Sequence, residues 1–141
     1  MSNQFLTHPE HGGIRFGDVP EMKSRGFVLL GGEIRLQMGR HIGPHRGWGA
    51  NHIWAEHQLE MERKGFLSYE DVPAYVASIV REGTPLVFDG QTFGHIKLMA
   101  VRATAGMAVL GLRERREGPI WTVITAYDSN KPHGTRVGAV R

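Results

Sequence analysis

The sequence predicts an α+β fold: an N-terminal hairpin and two helices packed on a C-terminal antiparallel β-meander. Three observations carry that reading. Residues 51–64 and 72–80 suit helices, and Gly65 and Gly83 supply their stops. From Pro85 onward apolar residues alternate with polar ones, and Asp89-Gly90, Ala105-Gly106 and Glu117-Gly118-Pro119 punctuate the runs. Short turns between consecutive strands imply antiparallel neighbours. The chain has 141 residues, enough for one domain with a normal core.

Taken in order, residues 1–26 contain Pro9, Gly12-Gly13 and Pro20 and read as an irregular arm, with one short element near Ile14–Phe16. Residues 27–141 form the single remaining domain. Phe27–Leu30 and Glu33–Met38 flank Gly31-Gly32, which predicts a β-hairpin whose glycines accept positive φ. Residues 39–46 are a loop carrying His41, Pro44 and His45. In the stretch Gly47-Trp48-Gly49-Ala50-Asn51-His52-Ile53-Trp54-Ala55-Glu56-His57, Asn51 suits an N-cap, which places His52 at the first helical position. The macrodipole there disfavours an imidazolium and keeps the ring neutral, as a general base requires. His57 lies five residues on, roughly 140° round an ideal helix, so the two rings do not share a face. Ser68-Tyr69-Glu70-Asp71 is a capping box, and Pro73 falls in the first turn of the second helix. Val72, Tyr75, Val76, Ile79 and Val80 follow at helical spacing and belong to the core. The strands come next: Leu86–Phe88, Gly94–Thr104, Met107–Arg115 and Ile120–Tyr127.

Charge and composition narrow the function. There are 17 basic and 14 acidic residues, a net of +3, and eight histidines. The charge is unevenly placed: residues 1–87 hold nine basic and ten acidic side chains, residues 88–141 eight and four. A basic C-terminal half points to an anionic partner, nucleic acid first and an acidic protein second. The absence of cysteine excludes disulfide scaffolds, thiolate zinc sites and thiol nucleophiles. No stretch has the length of a membrane span, and no signal-peptide core opens the chain, so any export is directed from outside this segment.

Candidate chemistry lies on the helix and the strands. Thr125 and Tyr127 share a parity at the end of the last strand, where a hydroxyl and a phenol can hold a phosphate and stack a base. Lys97 or Arg102 can neutralise a pentavalent phosphorane. His41 and His45 are separated by a Gly-Pro loop, and Glu56-His57 has the wrong order for a zincin helix, so no metal is expected. Paired histidines, a basic strand and a Thr/Tyr strand end suffice for RNA cleavage without a cofactor. A base takes the 2′-hydroxyl proton, the oxygen attacks the adjacent phosphate, and an acid protonates the leaving 5′-oxygen.

Gly47-Trp48-Gly49-Ala50-Asn51-His52-Ile53 followed by His57 resembles the G-[YFW]-G-x-x-H-I-x-x-x-H signature of bacterial toxin nucleases of the barnase/EndoU/colicin/RelE-like superfamily. Trp121–Tyr127 is similar to their final strand, and the resemblance spans about residues 27–128. It implies a metal-independent toxin ribonuclease, often a tRNase, carried at the C-terminus of a larger secreted or surface protein. Such a domain acts in the target-cell cytoplasm and is neutralised by a cognate immunity protein, here expected to be acidic and to cover the cleft. By position, the resemblance gives His52 the main catalytic role and His57 a second acid/base role. It gives Thr125, Tyr127 and Lys97 substrate roles. His45-Arg46, directly before the motif, adds a phosphate contact, and His133 has no counterpart. A non-catalytic RNA- or protein-binding module and a metal-dependent nuclease remain as alternatives.

Overall fold

The computed structural model describes residues 2–24, 26–129 and 134–141. His133 lies outside the described residues. The fold is α+β, a curled mixed sheet carrying two helices among the described residues. In chain order the elements open with β1 (Gly17–Val19), β2 (Met22–Ser24), β3 (Phe27–Leu29) and β4 (Gly32–Arg35). β5 (Arg40–Gly43) and β6 (Arg46–Trp48) follow, then α1 (Gly49–Arg63), a 3₁₀ turn at Tyr69–Asp71, and α2 (Val72–Ile79). The rest is strand: β7 (Pro85–Phe88), β8 (Thr92–Phe93), β9 (Ile96–Ala103), β10 (Gly106–Arg115), β11 (Gly118–Tyr127) and β12 (Thr135–Ala139).

The main sheet runs β1-β4-β11-β10-β9-β7-β12, with β8 paired to β9. β9, β10 and β11 form the expected antiparallel meander, with a bulge opposite Val109/Leu110. Its mixed character comes from β4, which lies parallel to β11 through Ile34 and Trp121. The core fills the face that the helices cover. Ile53 and Met61 of α1, Tyr75, Val76 and Ile79 of α2, and Met99, Leu110, Trp121 and Val123 of the sheet are buried together. The capping box at Ser68 and Asp71 forms, and Val72, Tyr75, Val76, Ile79 and Val80 are all buried as their spacing predicts. No helix among the described residues is long and apolar enough to cross a membrane.

Four expectations about the strands need correction, the first being residues 39–46, expected as a loop, which carry the paired strands β5 and β6. The hairpin expected across Gly31-Gly32 does not form: β3 pairs with β2, and β4 pairs with β1 and β11. Those glycines serve close approach rather than a turn. A Cβ on Gly32 would lie 2.4 Å from the Pro119 carbonyl oxygen, and one on Gly31 2.8 Å from the Glu21 nitrogen. The arm is not irregular throughout either, because β1 is the edge strand of the main sheet and Phe16 and Val19 are core residues. Its short element therefore falls just after the expected Ile14–Phe16. Finally, β12 extends the sheet beyond Tyr127, pairing with β7 on the edge opposite β1.

Candidate active site

The hairpin β5–β6 feeds directly into α1, and everything at the site follows from how tightly it folds onto that helix. The first free amides of α1 are satisfied by backbone: Ala50 N–H donates to the Gln37 carbonyl at 2.9 Å and Asn51 N–H to that of Met38 at 2.8 Å. A side-chain cap is therefore unnecessary. Asn51, expected as the N-cap, lies inside the helix, and its amide donates instead to the Gly39 carbonyl at 3.0 Å. His52 is accordingly the fourth residue of α1, not the first.

Gly47 opens the space for that histidine. Its φ is +141°, and a Cβ there would stand 2.3 Å from the Arg40 carbonyl oxygen and 2.7 Å from His52 Nδ1. Across the hairpin His41 faces Gly47 in register. The two imidazoles consequently meet, with His41 Nδ1 3.1 Å from His52 Nδ1 and ring centroids 5.3 Å apart. His41 is exposed, whereas His52 is 5% exposed. Glu56 sits one turn further along α1, on the same face as His52. Ligand-capable atoms of His41, His52 and Glu56 all lie within 4.8 Å of one another.

The electrostatics follow from this placement. Burial pushes the His52 imidazolium below its usual range, Glu56 opposes this, and His41, His57 and His45 add to it. Desolvation, the largest cause, disfavours the charged form of the ring. The Glu56 carboxyl is held below the usual carboxylate range, first by the hydrogen bond it accepts from the His45 N–H and then by the neighbouring histidines. His45 adopts φ 58° at the tip of the hairpin, which aims its amide at that carboxylate. Arg46, on the same hairpin, is exposed.

The remaining candidates occupy other places. His57 falls at a kink in α1, with φ −127° and ψ 18°. Its Nδ1 pairs with Glu60, and its ring lies 5.7 Å from that of Tyr127. Glu60 also accepts the Asp128 N–H at 2.7 Å, so this group ties the helix to the end of β11. Tyr127 donates to Met107 Sδ at 3.5 Å, and burial raises its phenol above the ordinary value. The Thr125 hydroxyl is buried with no hydrogen-bond partner among the described residues.

Lys97 and Arg102 both lie on β9, five positions apart. They therefore point to opposite faces, roughly 16 Å apart along the strand. Lys97 stands in register with Thr92, while Arg102 lines a cleft with Ser78, Arg81, Glu82 and Thr104. The structure thus joins His45, Arg46 and His52 around one hairpin and His57 with Tyr127 further down the helix. It does not bring Lys97 and Arg102 together. Sequence reasoning missed His41 and Glu56. The four-residue spacing of His52 and Glu56 signals Glu56, whereas no local pattern signals His41.

Comparison with family models, with curated proteins and with solved structures found no match.

Proposed function

We propose that this chain is a metal-independent endoribonuclease of the bacterial toxin type, cutting RNA, and tRNA first among RNAs, by 2′-hydroxyl transesterification. The single observation that carries the reading is the hydrogen-bonded pair of an exposed and a buried imidazole, His41 and His52, at 3.1 Å. In such a pair the shared Nδ1 proton fixes both tautomers. When it resides on His41, the His41 Nε2 carries a lone pair toward solvent and accepts the 2′-hydroxyl proton. His52 then holds His41 in that tautomer, with the Glu56 carboxylate nearby to stabilise the imidazolium that forms. The 2′-oxygen bonds to phosphorus as the 5′-oxygen leaves. The leaving oxygen takes a proton from a second acid, for which His57 beside Tyr127 is the candidate. His45 and Arg46, at the rim of the hairpin, contact the flanking phosphates. An acidic immunity protein would block this chemistry by covering the hairpin.

Incubation with total tRNA in excess EDTA tests the proposal. Cleavage leaving 2′,3′-cyclic phosphate ends is expected, and His41→Ala and His52→Ala should each lower the rate by about 10²–10⁴-fold. Binding of RNA without cleavage would identify a binding module instead. Cleavage of DNA that EDTA abolishes would identify a metal-dependent nuclease.

A further inference from the structure

We infer that His41, His52 and Glu56 bind a single transition-metal dication of the zinc class, and that its binding switches off the proton transfer proposed above. The switching half of this inference rests on that nuclease reading; the binding half does not.

Geometry supports the binding. Two ligands of a tetrahedral ion at about 2.0–2.1 Å lie roughly 3.3 Å apart. The two Nδ1 atoms stand 3.1 Å apart and a Glu56 carboxylate oxygen completes a set within 4.8 Å. Two imidazoles and one carboxylate suit zinc, cobalt or nickel, whereas magnesium and calcium prefer all-oxygen shells. Glu56 is already oriented, because Oε1 accepts the His45 N–H and leaves Oε2 available. His41 is exposed, so an ion can reach the cluster from solvent while His52 forms its buried wall.

The consequence for catalysis is a matter of lone pairs. In the free protein one Nδ1 carries a hydrogen and donates to the other, which leaves an Nε2 lone pair on the donating ring. A metal needs both Nδ1 lone pairs. The donating ring must move its proton to Nε2, with no net proton lost. Both Nε2 atoms then carry hydrogen and both Nδ1 atoms are bound to metal, so neither imidazole can accept a proton from a ribose.

Cobalt(II) titration of EDTA-treated protein tests the site. The visible d–d bands of a four-coordinate ion are expected, displaced by zinc and not by magnesium. Glu56→Gln, which preserves shape, and His41→Ala should each weaken cobalt binding at least tenfold. His8→Ala should leave it unchanged, since the stacked His8–His11 pair is the competing histidine cluster. Absence of the bands, unchanged affinity in both Glu56→Gln and His41→Ala, or loss in His8→Ala would overturn the site. Zinc should also inhibit RNA cleavage by the wild type at the concentrations that displace cobalt. Zinc binding without inhibition would overturn the switch alone. Zinc binding by a protein that cuts no RNA would leave the site standing and remove the nuclease reading.

Discussion

Tyr75 shows how a single hydroxyl can stand against the packing around it. The side chain is fully buried in the core, its ring tilted against Phe66 at 5.4 Å. Its oxygen has no hydrogen-bond partner among the described residues, and burial pushes its ionisation far above the ordinary phenol range. A buried unpaired hydroxyl costs about 1–3 kcal/mol, whereas removing it with the shape retained is neutral or favourable. Tyr75→Phe should therefore keep or raise stability, by up to about 1 kcal/mol in urea denaturation. A clear loss would mean that the hydroxyl has a partner. At this scale the sequence exposed part of the site. His52 was legible because its glycine-rich lead-in and helical context are local. His41 was not, because its importance depends on which helix face the hairpin lands on, and nothing within a few residues encodes that.

The hairpin–helix element β5–β6–α1 owes its geometry to residues without side chains. At Gly47 a methyl would meet both the Arg40 carbonyl and His52, and the φ of +141° is already costly for any other residue. Gly47→Ala should destabilise the protein by about 2 kcal/mol or more and abolish the His41–His52 contact. Gly43, in the same hairpin, has no atom within 4 Å of an added Cβ. Gly43→Ala should change stability by no more than about 0.5 kcal/mol. Thermal unfolding of the two variants side by side checks the contrast. Periodicity gave α2 and the meander correctly because their apolar spacing and turn residues are local signals. It misread Gly31-Gly32 because a glycine pair between two strand-like runs looks the same whether it turns the chain or admits a neighbour. The backbone that crowds each glycine, Glu21 against Gly31 and Pro119 against Gly32, distinguishes the two.

At the scale of the molecule, the sheet is extended by pairings that no local pattern announces. β4 lies parallel to β11, and β12 pairs with β7 through a bulge between Arg136 and Gly138. Strand propensity reports a fit to a half-buried surface and says nothing about which partner supplies it. The strands expected from the sequence accordingly stop at Tyr127, short of β12. Val140 just beyond it is 2% exposed, and its backbone bonds Gly83 and Thr84. Deleting residues 135–141 should uncover Leu86 and Val80 and remove cooperative thermal unfolding, as circular dichroism would show. A retained sharp transition would mean that the sheet is complete without this edge.

Asp18 and Arg141 exchange two backbone hydrogen bonds, at 2.7 and 2.9 Å, and the Arg15 guanidinium reaches the Arg141 carbonyl across 126 positions of sequence. Such a clasp cannot form on a ribosome-bound chain that still lacks residue 141. Closing so long a loop slows folding, because its entropy is lost before the contact between the two ends repays it.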